Sequence, residues 1–334
     1  MKPPAISIII VNWNGKEFLE DCFNALQRQS HKDFEVIFVD NASTDASLKL
    51  AKELAADLKL NAKFVINKEN RGFAGGNNEG FKHSSGEYIA LLNTDTVADE
   101  NWLRELTGAM SDDATIGLCA SKLVVFNENV IDSAGDGYST FGHAFKRGEG
   151  LSDTAYPEKE YVFGACAGAA LYRREMIERI GFFDEDFFLI FEDTDISFRA
   201  LLSGWKCLYV PQAVVSHRVG GSIRTISESA AYHVVRNDKL VKIKNIPFRV
   251  LMYKAPCLIL GEIIWLIYYI IQKRFGCYVR GNIDALKMLP LMLKKRRQIM
   301  GLRKASNGYI ISLLTSGFRL YGPARIQRYL KLHN

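Results

Sequence analysis

The sequence predicts an α/β protein: a mostly parallel sheet sandwiched by helices, with a C-terminal helical extension. Three observations predict it. Short β-branched apolar runs alternate with amphipathic stretches through the first 115 residues. Polar clusters (Asn12, Asp40, Asn70, Asn93-Thr94-Asp95) fall where those runs end, the edge at which such sheets bind ligands. Residues 246–334 hold 16 Lys/Arg against two acids, Glu262 and Asp284, a net +14, whereas residues 1–245 carry a net −8.

The first strand is read at 7–11, a continuous apolar run suited to burial on both faces. Residues 16–29 put Phe18, Leu19, Cys22, Phe23 and Leu26 at helical spacing. A strand at 35–39 follows, then a helix at 46–58 that opens after Ser43-Thr44-Asp45, good N-capping chemistry. Strand 62–66, helix 76–84 and strand 88–92 repeat the order. Beyond about 115 the pattern changes. Residues 116–126, 137–147 and 161–172 read as strands of a mixed or antiparallel extension. A helix at 192–202, strands at 206–210 and 214–222, and a helix at 228–244 complete residues 1–245, divided into a nucleotide-binding half (1–115) and an acceptor half (116–245).

Residues 255–271 form an apolar stretch with one charge, Glu262, flanked by Lys254, Lys273 and Arg274. A bilayer span needs about 17–25 apolar residues, so this one sits at the short edge, and Pro256 and Glu262 weaken it. It reads as a span, as an interfacial helix, or as a core hairpin with a solvated basic face. The run Lys294-Lys295-Arg296-Arg297 suits anionic headgroups. The tail's hydrophobicity favours an anionic membrane surface over nucleic acid as its partner. Six scattered cysteines without C-x-x-C pairs read as reduced thiols of a cytosolic protein. The N-terminus runs into a strand without a signal-peptide h-region, so export is not expected.

Transfer of a sugar from a nucleotide donor makes three demands: a hold on the nucleotide, counter-charge for the diphosphate, and a carboxylate to take the acceptor's proton. Asp40, in Asp40-Asn41-Ala42-Ser43-Thr44-Asp45, is placed to accept from a base N–H or a ribose hydroxyl; the alternative is plain turn capping. The stretch Asn70-Arg71-Gly72-Phe73-Ala74-Gly75-Gly76-Asn77-Asn78 opens a helix, with glycines that admit a ligand to the backbone and an arginine fork for anions. It lacks both the Walker lysine and the dinucleotide fingerprint. Asp95 suits a divalent ion bridging two phosphates, with Asn93 as partner; capping the next turn is the bland alternative. In Glu192-Asp193-Thr194-Asp195, Asp195 has a structural use, an ion pair with Arg199 one turn on. That leaves Asp193 as a base and Glu192 to tune it. A neutral His217 either ligates the metal, steadies a phosphate, or is structural.

In this order, these pieces resemble glycosyltransferase family 2, and within it the bacterial rhamnosyltransferase-like branch. The resemblance rests on Val11-Asn12-Trp13-Asn14-Gly15, the Asp40–Asp45 and Asn70–Asn78 segments, Leu92-Asn93-Thr94-Asp95, Glu192-Asp193-Thr194-Asp195 and His217, and covers residues 5 to about 245. It implies a GT-A fold, a Mn²⁺ or Mg²⁺ cofactor, and inversion at the anomeric carbon. Asn12, Asn14, Asp40, Asn70, Arg71, Gly76, Asn77, Asn93 and Asp95 would hold the nucleotide sugar, a dTDP- or UDP-sugar. Asp95 and His217 would hold the metal, with Asp193 and Glu192 catalytic. The first acid of the family's D-x-D element is Asn93 here, which leaves Asp95 as its one sure ligand. Tyr232-His233-Val234-Val235-Arg236-Asn237 looks like the helix closing the catalytic domain in this branch.

The expectation is therefore an inverting enzyme of cell-surface polysaccharide synthesis, cytoplasmic and peripheral or monotopic at the inner face of the membrane. Its acceptor is a glycan or a lipid-linked acceptor, and no nucleic acid is involved. A nucleotidyltransferase would want a Gly-rich basic loop after the first strand, where Asn12-Trp13-Asn14-Gly15 stands. A non-catalytic nucleotide-sugar-binding scaffold would not need the acids at 192–195.

Overall fold

The computed structural model describes residues 4–218 and 227–320. β1 (Ile6–Asn12), β2 (Phe34–Asp40), β3 (Ala62–Ile66) and β4 (Tyr88–Leu92) are parallel, in the order β4-β1-β2-β3. Crossovers α1 (Leu19–Gln27), α2 (Ser47–Asp57) and α3 (Gly72–His83) connect them. Isoleucines and valines fill both faces of β1 and β2, and the register pairs Asn12 with Asp40, so both polar residues emerge at one edge. α3 begins at Gly72, four residues before the reading from sequence. Gly72 has φ +70°, and a Cβ there would strike the Phe188 carbonyl and ring. The glycines thus belong to the helix, and Gly76 lets it close on Val11.

β5 (Thr96–Ala98) and α4 (Trp102–Asp112) lead into β6 (Ile116–Val125). The extension predicted beyond 115 is mixed, as expected. β7 (Ile131–Ala134) pairs with β6, and β8 (Asp136–Ser139) with β9 (Ala144–Lys146) forms a separate hairpin. The stretch 161–172 is two strands: β10 (Glu160–Val162) on the outer edge and β11 (Ala169–Arg173) between β4 and β6. α5 (Arg174–Ile180) and α6 (Glu192–Leu202) follow. The two strands read at 206–210 and 214–222 are one long strand, β12 (Lys206–His217), with a register shift between Val210 and Val214. Residues 219–222 lie outside the described residues.

α7 (Glu228–Asn245), α8 (Phe248–Ile271), α9 (Phe275–Lys287), α10 (Leu289–Gly301), α11 (Asn307–Leu313), a short β13 (Leu314–Thr315) pairing with β8, and α12 (Gly317–Leu320) complete the described chain. They do not dangle from the sheet and its helices. Phe187, Phe191, Phe198 and Tyr138 share one core with Leu240, Val241, Ile246, Val250, Ala285 and Met292. The basic run divides accordingly. Lys295 reaches inward to Asp184 (2.5 Å) and Asp186 (2.6 Å), Arg296 donates to the Ile243 carbonyl, and Lys294 and Arg297 face solvent.

α8 is long and apolar enough to cross a membrane by length and composition. It starts at Phe248, with Pro247 as its N-cap, and continues through Pro256. One stripe of it is docked. Gly261 lies against the Phe141 carbonyl, Glu262 pairs with Lys242 (2.6 Å) and Lys239, and Trp265 stacks on His143 at 4.4 Å. Tyr269 donates to the Ala231 carbonyl. The opposite stripe, Met252, Ile259, Ile263, Ile267 and Ile270, is exposed. Glu262, the lone charge of the apolar run, thus faces α7.

Candidate active site

The carboxyl edge of the parallel strands gathers most of the residues singled out from sequence. Asn12, fully buried, donates to the Ser43 (2.9 Å) and Ser47 (2.7 Å) hydroxyls and lies 3.4 Å from Asp40 Oδ1. Its own Oδ1 is buried without a partner. Asn14, at φ +54°, accepts from the Thr44 N–H through its side chain, tying the loop after β1 to the loop after β2. Trp13 between them is 59% exposed. Asp40 is buried at the strand end, where Oδ2 accepts from the Ser43 N–H. Ser43 and Asp45 are therefore occupied in bridging loops, and the residue before α2 is Ala46 at φ +61°.

Asn41, which sequence reasoning passed over, organises the next loop. It donates to Asn70 Oδ1 (2.9 Å) and the Gly72 carbonyl, and accepts from Asn67 and the Arg71 N–H. Asn70 in turn accepts from the Gly72 N–H (2.8 Å). Arg71 turns its fork onto Glu79 (2.8 Å) and Glu185 (2.9 Å), so its charge is already matched by carboxylates. Asn77 is buried and donates back to Phe73 within its own helix. Of the glycine-rich stretch, Asn70 faces the loops of the site, while Gly76 and Asn77 serve packing.

β5 turns Asp95 back toward the end of β12, where Thr96 pairs with His217. Asp95 Oδ2 then lies 3.6 Å from His217 Nε2, and Asp132 Oδ2 takes His217 Nδ1 at 2.9 Å. Burial by itself would lower the His217 pKa. The hydrogen bonds and charges of Asp132 and Asp95 outweigh it and raise it to about 9. Two carboxylates facing its two nitrogens thus favour the imidazolium, whereas the sequence reading took the imidazole as neutral. Asp132 is itself held down to about 2: burial pushes up, and His217 and Lys146 prevail.

These residues fit a divalent ion. Asp95 offers a hard oxygen and His217 Nε2 a borderline nitrogen on the same side, while Asp132 on Nδ1 fixes the orientation of the ring. Among the described residues no group of three or more His, Cys, Asp or Glu could hold an ion alone. An ion there would complete its shell with phosphate oxygens and water, displacing the imidazolium proton.

Asn93 donates its backbone N–H to the Gly168 carbonyl (2.9 Å), and the Ala167 N–H beside it points at Asp193 Oδ2 (3.4 Å). The Ala167-Gly168 segment thus links the strand end carrying Asn93 and Asp95 to the first turn of α6, which carries Asp193. Burial raises the Asp193 pKa against the Thr194 and Ala167 N–H groups. Glu192 is buried with Oε2 unpartnered, and burial followed by the Asp193 charge holds it well above the carboxylate range. Asp195 pairs with Arg199 at 2.8 Å as anticipated, and also with Lys244 and Asn245. A further acid, Asp136, went unnoticed in a stretch without readable periodicity. Burial and the nearby Asp193 charge push it up to about 8.

The loop before α6 is strained: Phe188, Ile190 and Phe191 have φ of +64°, +67° and +75°, where a non-glycine residue costs about 1–3 kcal/mol. α7 holds it there. Asn237 Nδ2 lies 2.7–2.9 Å from the carbonyls of Phe187, Leu189 and Ile190, and Arg236 donates to those of Asp186 and Phe187. Asn237→Leu leaves these acceptors unpaired and frees the loop. The expected loss is about 1–3 kcal/mol of stability, with kcat down at least about tenfold because Asp193, the base expected from sequence, is displaced and donor affinity little changed. An unaltered kcat would remove Asn237 from this positioning role.

A parallel sheet with a polar carboxyl edge, extended by antiparallel strands that bring an acidic helix and a histidine to that edge, is a GT-A-like fold. The chain belongs to glycosyl transferase family 2, whose model matches residues 7–181, more than half of it. It is 25% identical over 229 residues to EpsH of Bacillus subtilis (strain 168), covering 66% of this chain and spanning 62% of that protein. It is likewise 25% identical over 275 residues to the poly-β-1,6-N-acetyl-D-glucosamine synthase of Staphylococcus aureus (strain COL), covering 79% of this chain and 64% of the relative. Among solved structures, the mannosyltransferase PcManGT from Pyrobaculum calidifontis with GDP-Man and Mn²⁺ superposes with TM-score 0.55 at 18% identity, covering 90% of this chain and 86% of that one. TarS 1-349 of S. aureus with UDP-GlcNAc gives 0.57 at 16%, covering 89% and 90%.

Proposed function

We propose that the chain is an inverting glycosyltransferase, moving a sugar from a nucleotide-diphosphate donor to a hydroxyl of a glycan or lipid-linked acceptor in cell-surface polysaccharide synthesis. The observation that carries this is the convergence of Asp193 and the Asp95–His217 pair at one sheet edge, joined through Ala167-Gly168. Asp193 takes the proton of the acceptor hydroxyl as that oxygen bonds to the anomeric carbon; the bond from that carbon to the diphosphate breaks, and its electron pair leaves with the diphosphate. Desolvation makes Asp193 a stronger proton acceptor than an ordinary carboxylate. Asp95 and His217 would hold a divalent ion, Mn²⁺ or Mg²⁺, whose chemistry is to offset charge on the leaving diphosphate. Asp40, Asn12, Asn14, Asn70 and Asn93 line the donor side.

The GDP-Man and Mn²⁺ bound to PcManGT and the UDP-GlcNAc bound to TarS support the cofactor and donor class. The motif order shared with the rhamnosyltransferase-like branch supports a rhamnose donor. The docked inner stripe and exposed outer stripe of α8 support a monotopic placement on the inner face of the membrane. The test is a panel of dTDP-, UDP- and GDP-sugars with Mn²⁺, read first by thermal unfolding. The true donor at 100 times its Kd stabilises by about 2.7 kcal/mol and should then release nucleoside diphosphate when acceptor is added. Binding without such release, with every acceptor class supplied, would mark a nucleotide-sugar-binding scaffold and overturn the proposal.

A further inference from the structure

A cavity of about 520 Å³ opens where the start of α7 meets the α8–α9 turn, and none of the proposed catalytic or donor residues lines it. Three of its walls are cations: Lys273, Arg274 and Arg280. None of the three forms an ion pair among the described residues. Arg280 lies over the Tyr232 ring at 4.8 Å, with Arg236 at 5.5 Å from the same ring. The acids nearby are two. Glu228 lines the cavity, and Asp284 lines the adjoining groove, where Lys287 (2.8 Å) and the Tyr232 hydroxyl (2.9 Å) engage it and the more distant charge of Arg280 also acts on it. The His233 pKa is lowered, by burial first and then by Arg236 and Arg280, as an excess of positive charge requires. The 13-residue α9 starts at this cavity, so its first-turn amides add to the same field.

The cavity continues, across Gly276 and Arg280, into a groove of about 670 Å³ over Phe275, Val279 and Ile283. These apolar side chains recur at helical spacing on α9 and are 39–51% exposed, with Leu286 beyond them at 66%. A basic pocket that opens onto an exposed apolar stripe matches one kind of molecule, an anionic head on a hydrocarbon chain. The pocket also touches the catalytic loop: His233 stacks on Phe188 at 5.7 Å, and the Phe188 carbonyl accepts from the Ala74 N–H at the start of α3.

We infer that the corner formed by α7, α8 and α9 binds the phosphate of a membrane-embedded, phosphorylated long-chain lipid, the carrier of the sugar acceptor. Lys273, Arg274 and Arg280 take the phosphate oxygens, and Phe275, Val279 and Ile283 take the chain beside the head. This rests on the glycosyltransferase reading for the word acceptor; the phosphate site itself stands on the cavity. Clustering of three cations in one concavity against the catalytic loop favours a specific phosphorylated carrier over bulk anionic headgroups, which a dispersed basic face would serve as well.

The test uses the full chain and vesicles of phosphatidylcholine doped either with a polyprenyl phosphate or with phosphatidylglycerol at equal surface charge. Binding is read by flotation, and integrity by thermal unfolding with and without nucleotide sugar. Wild type should bind the polyprenyl phosphate vesicles at least about tenfold more tightly. The double variant Lys273→Glu, Arg280→Glu should lose that preference with its nucleotide-sugar stabilisation unchanged. Gly276→Glu should do the same: a Cβ there meets nothing within 4 Å, so the fold admits a carboxylate in the cavity. Equal binding to both vesicle types by wild type would assign the corner to bulk lipid and overturn the inference, as would variants that keep the preference. Selective binding that the variants abolish, in a protein that turns over no nucleotide sugar, would uphold the phosphate site and sink the glycosyltransferase reading alone.

Discussion

Asp193→Asn is expected to lower kcat by about 10³-fold, within the 10²–10⁴ that a positioned general base contributes, while donor affinity stays within a few-fold. The substitution conserves shape; the single amide oxygen keeps the short Thr194 N–H bond, and the long Ala167 contact (3.4 Å) is lost along with proton acceptance. It also removes a negative charge from beside Asp136 and Glu192, both held high in part by that charge. The folded protein is relieved of a buried carboxylate's desolvation, so the unfolding temperature should hold or rise. Steady-state kinetics, calorimetric donor binding and thermal unfolding on one preparation separate these effects. Turnover within tenfold of wild type would take Asp193 out of the base's role; a fall in unfolding temperature parallel to the fall in kcat would assign the loss to folding.

Asp95→Ala carries the second large effect. With Asp95 removed, His217 retains only Asp132, and an ion would keep one protein ligand, the imidazole. Transfer should fall by about 10²-fold or more, as loss of several kcal/mol of charge stabilisation at a leaving group implies. The Mn²⁺ concentration for half-maximal rate should rise at least about tenfold. Nucleoside diphosphate binding measured in chelator should be the same for variant and wild type, because the nucleotide contacts proposed around Asp40 are untouched. Wild-type activity undiminished in chelator would show that the chain works without a metal and that Asp95 acts through His217 alone.

Much of the parallel half was legible because its signals are local. β-Branched runs such as 6–12 and 34–40 need only neighbouring strands to bury them, and their ends mark the ligand edge whatever the rest of the chain does. The acids at 192–195 stood out because three of them in four positions need a reason, and the Asp195–Arg199 pair supplied the structural one. Asn41, Asp132, Asp136 and Asn237 were not legible. Each matters through a partner 26–85 residues away or through a charge brought beside it by folding, and no spacing along the chain records that. The start of α3 at Gly72 was misplaced because a helix opening on a left-handed glycine depends on Phe188, far along the chain.

By itself, then, the sequence determined the alternating sheet, the polar strand-end edge with Asp40 and Asp95, and the basic, apolar character of residues 246–334, since hydrophobic period and charge are properties of contiguous residues. Only the tertiary structure decided that His217 sits between two carboxylates, that Arg71 and Lys295 spend their charge on carboxylates, and that α8 docks one face and exposes the other. Those outcomes depend on which distant groups share a low-dielectric space, and that is settled when the chain packs.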